Sequence, residues 1–489
     1  MPKRTTALEL VLRPRGPGES AISWLCGSLQ AEILDGRLRP GSRLPATRDL
    51  ARQYGLSRGT IVSAFNELKA QGYVEGSVGS GTFVSATLPD DLLLVDEAAK
   101  PRPEAQGRPR RRPAGYGRRV RLLGGYSMKP VRAFRPNRPA LDLFPVATWA
   151  QVTARRLRRA TTHLLLGTDA AGYPPLRQAV ADYLAAARGV TCDPGQVLVV
   201  SGVQEAMDLT ARVLLDPGDA VCVEDPGYDG ARHAFEAFGA RVRNVPVDAE
   251  GMTIPRRARV GAKLAYVTPA HQFPLGVGMS LRRRLDLIEW ARAAGAMLFE
   301  DDYDSEFRFA GRPLPALQGL DRHGLVLFAG TFGKVLFPSL RLGYLVVPPD
   351  LVDTFAAAKS VSSQHAPLIE QAVLCDFIAE GHFGRHIRRM REVYAGRLGA
   401  LREEADRRLK GLLEISPVEA GLQTAGFLLN GMDGETAARA ALERNVEVGP
   451  ISRYTRGPVL REGLQLGFAA VDEIEIRRGV AGLAAALRA

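Results

Sequence analysis

The segment GTFGKVLFPSLRLGY, residues 330–344, sets one lysine, Lys334, among apolar residues and glycines, with Arg341 shortly after it. Lysine is among the side chains least often buried without a partner. Two readings are open for Lys334: a surface lysine whose stem covers apolar neighbours, or an amine held in a dry pocket for chemistry. Other short stretches carry further groups of useful type. Ser201 and Gln204, in SGVQ, open a helix whose free amides and dipole suit a phosphate. Tyr228, in DPGYDG, has an aromatic face that can cover a flat ring or equally fill a core. His271 and Gln272, in TPAHQFP, can hydrogen-bond a ring oxygen or a carboxylate. Asp301 and Tyr303 lie in the acidic run FEDDYDSEF, which reads as a counter-ion, a solvated face or a metal site. No matching His or carboxylate cluster accompanies that run, so no metal is expected.

Each of these stretches follows a β-prone run. QVLVV precedes Ser201, AVCV precedes Tyr228, KLAYV precedes His271, AML precedes Asp301, and LVLFAGTF leads into Lys334. Amphipathic helical patterns such as VQEAMDLTARVLL and MSLRRRLDLIEWARAA separate several of them. Strand–helix alternation from about Ala133 onward predicts an α/β domain with a largely parallel sheet buried on both faces. In such sheets functional groups collect at the carboxyl ends of the strands.

The N-terminal segment has a different pattern. Residues 21–34, AISWLCGSLQAEIL, carry Ile22, Leu25, Leu29, Ile33 and Leu34 at helical spacing, and Gly36 ends the helix. Thr47 is expected to cap a short helix closed by Gly55, and Ser57 to cap another with Ile61, Ala64, Phe65 and Leu68 on one face. Helix, glycine turn, helix is the helix-turn-helix pattern, and YVEGSVGSGTFV after it reads as a hairpin wing. A three-helix bundle used only for packing satisfies the same periodicity; the polar residues favour DNA. Ser57, Arg58 and Thr60 open the second helix, whose N-terminal end faces base edges and phosphates in such motifs. Arg43 and Arg48 can clamp phosphates. Gly79 and Gly81 let the wing backbone approach DNA, and Thr82 offers a hydroxyl.

Between the two segments, KPRPEAQGRPRRRPAGYGRRVR is rich in Pro, Gly and Arg and reads as a solvated linker. The expected domains are therefore 1–88, a flexible linker over 89–130, and 131–489. The chain has 489 residues, 46% hydrophobic and 24% charged, with a formal net charge of +12, which suits a polyanionic partner. No apolar run reaches membrane-spanning length, and the four cysteines are too dispersed for a zinc site or a disulfide framework, so a cytoplasmic protein is expected.

Two resemblances follow from these motifs. GRLRPGSRLPATRDLARQYGLSRGTIVSAFNELKAQGYVEGSVGSGTFV resembles the winged helix-turn-helix of GntR-type bacterial regulators. A lysine that condenses with an aldehyde, an aspartate, a tyrosine, and amides plus an arginine make the inventory that pyridoxal 5′-phosphate (PLP) requires. The order Ser-Gly-x-Gln, Asp-Pro-Gly-Tyr, Asp-x-Tyr, Lys, Arg resembles the fold-type I aminotransferase class. That resemblance implies a Schiff base (the internal aldimine) at Lys334, Asp301 at the pyridine nitrogen, and Tyr303 at the ring hydroxyl. It also implies Tyr228 stacked on the ring, and Ser201, Gln204 and Arg341 on the phosphate. Tyr173, in AAGYPPLR, matches a residue such dimers offer to the partner subunit's site.

The whole order resembles the MocR/GabR family of transcriptional regulators. It implies a head-to-tail homodimer that binds PLP and double-stranded operator DNA, and answers to an amine, an amino acid or PLP itself. One departure stands out. Where these aminotransferases place a carboxylate-binding arginine, GLQLGFAA has Gln465. An amide recognises a carboxylate far more weakly than a guanidinium does. Arg453, Arg456 and Arg461 are the candidates to replace it. A sensor with little transamination is thus the expected function, with a working aminotransferase carrying a DNA-binding domain as the alternative.

Overall fold

The computed structural model describes residues 10–77, 81–88, 111–120, 131–254, 261–309 and 315–488. The chain divides into two compact units, Met1–Arg111 and Arg112–Ala489.

In the first unit, helices α1 (Ala21–Leu34), α2 (Thr47–Tyr54) and α3 (Arg58–Ala70) precede a hairpin of β1 (Val74–Ser77) and β2 (Gly81–Val84). Trp24, Leu25 and Leu29 of α1 share one core with Leu50, Ile61, Phe65, Leu68, Val74 and Val84. Leu34, counted with the apolar face, is exposed instead. It is the last residue of α1. The Ser57 hydroxyl caps α3 by accepting from the Thr60 amide at 3.0 Å, a contact worth about 1 kcal/mol. Thr47 does not cap α2: the N-cap is Ala46, and Thr47 is already helical. Gly55 closes α2 at φ 62°, ψ 28°, the left-handed conformation that a β-carbon disfavours. The hairpin is antiparallel, with Val74 opposite Val84. Arg43 bridges to Phe83 alongside it. Gly79, at the expected wing tip, lies outside the described residues.

The expected linker is described only over 111–120, and there Gly115–Arg119 forms a short helix. Arg119 donates to the carbonyl oxygens of Ala237 (3.1 Å) and Phe238 (2.9 Å). A guanidinium at the last carbonyls of a helix, here Asp229–Phe238, is favourably placed against the helix dipole. This piece therefore packs within the second unit.

The second unit is built on β3 (Val197–Val200), β4 (Ala220–Asp225), β5 (Arg241–Asp248), β6 (Gly251–Met252), β7 (Ala262–Val267), β8 (Met297–Asp302), β9 (Val326–Thr331) and β10 (Gly343–Val346). Their order is β3-β10-β9-β8-β7-β4-β5-β6. β5, β4, β7, β8 and β9 are mutually parallel, whereas β10 runs antiparallel between β3 and β9. Leu298, Phe299, Leu327 and Phe328 are fully buried, as the continuous apolar runs require. Gly343 makes the β10 insertion possible: a β-carbon there would lie 2.7 Å from the Gly330 carbonyl oxygen and 3.1 Å from Gly202 Cα.

The late strands form a separate sheet, which the alternation pattern does not separate from the first. β11 (Leu413–Ile415), β12 (Gln423–Leu428), β13 (Gly449–Pro450) and β14 (Gly463–Gly467) pair antiparallel in the order β11-β12-β14-β13. The segment 133–137 runs along this sheet, with bridges from Ala133 to Val446 and from Phe134 to Gly467. Among the described residues no helix is long and apolar enough to cross a membrane.

Candidate functional site

Lys334 sits in a single helical turn, Phe332–Val335, directly after β9. The Thr331 hydroxyl accepts from the Gly333 amide at 3.0 Å and fixes that turn. The lysine is half-buried, and its Nζ donates to the Asn137 carbonyl oxygen at 2.8 Å. Burial first, then the positive Arg138, lowers its pKa to about 8, against the opposing pull of Asp304 and Asp301. The amine therefore lies within the electrostatic reach of both aspartates, and the surface reading falls away.

Asp301, near the end of β8, is buried and its pKa is raised to about 7, chiefly by burial. Tyr266 of β7 donates to its Oδ2 at 2.6 Å, and Oδ1 has no partner among the described residues. Tyr303, just past the same strand, shares His271 Nδ1 with Asp304: its hydroxyl lies 3.1 Å and Asp304 Oδ1 2.9 Å from that nitrogen. A carboxylate only accepts, so Nδ1 carries the proton and the Tyr303 oxygen accepts a share of it. The Tyr303 O–H is then free to donate into the site. Burial, then Asp304 and Asp301, raises the tyrosine well above its ordinary pKa, so it stays protonated. Gly421 permits this packing: a β-carbon there would lie 2.3 Å from His271 Nδ1 and 2.6 Å from Asp304 Oδ2.

Ser201, Gly202 and Gln204 lie between β3 and the helix Val203–Leu214 or in its first turn. The Arg341 guanidinium lies over the same loop, its NH1 and NH2 each 3.7 Å from where a Gly202 β-carbon would be. Gln204 donates to the Gly230 carbonyl oxygen at 3.1 Å and leaves its buried Oε1 unpartnered among the described residues. One detail differs from the sequence expectation of free amides. The Ser201 amide is taken by Glu205 Oε2, whose other oxygen receives Lys359 Nζ at 2.7 Å. Lys359 is wholly buried, so this carboxylate is its counter-ion within the cradle.

Not every expected residue joins the site. The Gln272 amide donates to the carbonyl oxygens of Pro226 (2.9 Å) and Phe273 (2.6 Å) and accepts from the Leu275 amide (3.1 Å). It is spent on holding a turn, because a buried loop must satisfy its own carbonyls. Tyr228 lies across Gly230 and meets Phe273 edge-on at 5.7 Å. The residue keeps a 36% exposure, more than a core tyrosine would. Tyr173 packs against Leu164, Leu368 and Ala372 of its own chain. Arg453 pairs with Glu435 through two contacts of 2.7 Å, Arg456 with Asp229, and Arg461 with Glu414. Each of the three is thus paired with a carboxylate of its own chain. Gln465 is fully buried on β14, and neither end of its amide has a partner among the described residues.

Tyr266, Asp304, Asn137, Arg138, Glu205 and Gln423 were not singled out by the sequence. Asp304 stood in the acidic run already marked, and Tyr266 was the one aromatic hydroxyl in KLAYV. Asn137 and Arg138 come from a distant segment and carry no local signal.

In the first unit, Arg43, Arg48 and Arg58 are exposed and hold no ion pair among the described residues. Arg58 is the first residue of α3. Ser57 and Thr60 are engaged with each other through their hydroxyls at 2.8 Å, so they shape the helix end as well as exposing it. The Arg43 guanidinium lies against Gly81, 2.8 Å from where a β-carbon would stand, and the Thr82 carbonyl accepts from the Leu44 amide at 2.8 Å. Helix start and wing thus present cations and backbone suited to a duplex.

Comparison with known proteins agrees with both units. Residues 137–483 match the family Aminotransferase class I and II, and residues 25–84 match Bacterial regulatory proteins, gntR family. The chain is 40% identical over 466 residues to the probable rhizopine catabolism regulatory protein MocR of Rhizobium meliloti, covering 94% of this chain and 92% of that one. It is 29% identical to the pyridoxine biosynthesis transcriptional regulator PdxR of Corynebacterium glutamicum, covering 96% of each. A crystal structure of the α-aminoadipate aminotransferase LysN of Thermus thermophilus, complexed with N-(5′-phosphopyridoxyl)-L-leucine, superposes with a TM-score of 0.67 at 31% identity, over 73% of this chain and 91% of that one.

Proposed function

The chain belongs to the MocR-type transcriptional regulators, a gntR-family DNA-binding domain joined to an aminotransferase class I and II domain, and on that premise we propose that it senses an amine at PLP held on Lys334. The observation that carries this reading is the buried Asp301. Tyr266 donates to only one of its oxygens, and the other has no donor among the described residues. A protonated ring nitrogen is a donor of the required kind, and a carboxylate in this position otherwise costs about 1–3 kcal/mol for the missing bond. The residues present fit the cofactor.

PLP, when bound, supplies an aldehyde that an amine can attack and a ring that withdraws electrons. The protein supplies the rest. Lys334, with a pKa of about 8, has an appreciable neutral fraction near neutral pH, and the Asn137 carbonyl orients its Nζ. Asp301 holds a negative charge for the ring nitrogen. Tyr303 directs its proton outward because His271 Nδ1, itself paired with Asp304, occupies its other side. Arg341 and the Gly202 loop would hold the phosphate, with the helix dipole behind them.

A sensed amine would compete with Lys334 for the same position, and release of the Lys334 side chain would couple amine binding in the large unit to DNA affinity. The linkage runs both ways: operator DNA must change amine affinity by the same factor. A head-to-tail homodimer with Tyr173 reaching the partner's site completes the proposal. An efficient transaminase is disfavoured by the neutral Gln465. The test is reduction of the PLP-loaded protein with borohydride, followed by digestion and mass spectrometry. A pyridoxyl tag on Lys334, with spectral and DNA-affinity responses to amines and no keto acid released, is expected. Stoichiometric keto acid from α-amino acids would instead identify a working transaminase.

A further inference from the structure

Both amide atoms of Gln465, Oε1 and Nε2, are buried without partners among the described residues. The register places Gln423 on the same face of the small sheet. Ala425 is opposite Gln465 across the β12–β14 pair, and Gln423 is two residues from Ala425 on the same strand. Strand alternation therefore puts both glutamines on one face. That face adjoins the candidate site. Gln423 Oε1 accepts from the Asn137 amide at 2.9 Å, and the Asn137 carbonyl accepts from Lys334 Nζ at 2.8 Å. The Gln423 side chain also hydrogen-bonds the Tyr303 oxygen, which opposes the rise in that tyrosine's pKa. On the other side of β14, Gly449 leaves ordinary contact space beside Gln465 Oε1, 3.5 Å from a β-carbon built there.

Buried polar side chains left unpaired are rare in folded proteins and need a physical account. Here the unpaired groups are neutral, and they include both donors and an acceptor. A carboxylate brought against Gln465 accepts from Nε2 but leaves Oε1 without a donor, and it loses its water without gaining a counter-charge. A hydroxyl or carboxamide both donates and accepts, and satisfies both ends. Arg138 does carry a cation whose field reaches Lys334, so the two modes of recognition are separable by experiment. We infer that the sensed amine carries a neutral hydroxyl or carboxamide, not a carboxylate, on the side that faces Gln465. This inference rests on the amine-sensing reading above.

The test uses the full chain loaded with PLP and four probes of one carbon skeleton: L-alanine, L-alaninamide, L-alaninol and isopropylamine. Dissociation constants come from the visible spectrum and from calorimetry. The wild type is expected to favour alaninamide and alaninol over alanine by about tenfold. Gln465→Arg should reverse that order toward alanine. Gln465→Met, close in volume, should erase the advantage of alaninamide over isopropylamine while keeping the borohydride-reducible tag on Lys334. Ratios compared between wild type and variant cancel the different basicities of the probes. Alanine bound by the wild type as well as alaninamide, or an alaninamide advantage that survives Gln465→Met, overturns the inference and points to Arg138. A Lys334 tag with no response to any probe also overturns it, with the cofactor site left standing. Absence of the tag removes the underlying reading as well.

Discussion

Tyr266 donates its hydroxyl proton to Oδ2 of Asp301 at 2.6 Å, and both residues are buried on neighbouring parallel strands. The bond holds the carboxylate's orientation and leaves Oδ1 without a donor among the described residues. Even with this donor, burial keeps the Asp301 pKa at about 7. The aspartate is thus poised: burial first, then the neighbouring Asp302 and Asp304, disfavour its anion, and a cation beside it restores the charge.

That poise has a measurable sign. A carboxyl group whose folded pKa is raised binds more protons in the folded state than in the unfolded one, so its contribution to stability falls as pH rises from about 4 to about 7. Asp301→Asn should therefore stabilise the PLP-free protein at pH 8 by an amount on the order of 2–4 kcal/mol. The gain should vanish near pH 4. The same variant should bind PLP more weakly. Equal melting temperatures for the two PLP-free proteins at pH 8 would count against a buried, unpaired carboxylate.

Lys334 gives the second pH dependence. Its folded pKa is lowered to about 8, and the neutral amine is the nucleophile, so capture of PLP by the PLP-free protein should accelerate as pH rises through 8. Arg138 is one cause of the lowering. Arg138→Ala should move the midpoint to higher pH, read by absorbance after rapid mixing. A midpoint that stays in place would mean that burial alone sets the value.

Glu205 and Lys359 form a pair in which the lysine is wholly buried. Glu205→Ala leaves that ammonium without its counter-charge and should cost about 3–5 kcal/mol. Adding Lys359→Met removes the stranded charge and should restore much of the loss. Chemical denaturation of the single and double variants checks this. Strict additivity of the two losses would show that the pair is not a unit.

For the DNA-binding unit, Arg58→Ala should weaken binding to an operator fragment by about tenfold and leave the cofactor spectrum unchanged. Affinity of the wild type should fall steeply with salt as phosphate contacts release counter-ions. Loss of both DNA binding and cofactor spectrum would indicate unfolding rather than a lost contact.

The chain order of side chains already determined a good deal. The helix-turn-helix was legible because its signals are local: a hydroxyl at Ser57 before a helix, a glycine at 55, and apolar residues three and four apart on α3. The strand runs and the polar residues that end them were legible for the same reason, since a parallel sheet writes itself as apolar runs and gathers its functional groups at one edge. Gln465 could be marked as a departure by motif alone.

Only the tertiary structure decided which of those groups face each other. Gln272 and Tyr303 both follow strands of the same sheet, yet packing spends one on backbone carbonyls and turns the other toward the site. The antiparallel sheet, the strap ending at Asn137 and Arg138, and the donor from Tyr266 all depend on contacts between residues far apart in the chain. Those contacts leave no periodicity to read. Burial then set the protonation of Lys334 and Asp301, because the cost of holding a charge depends on what surrounds it and not on its neighbours in sequence.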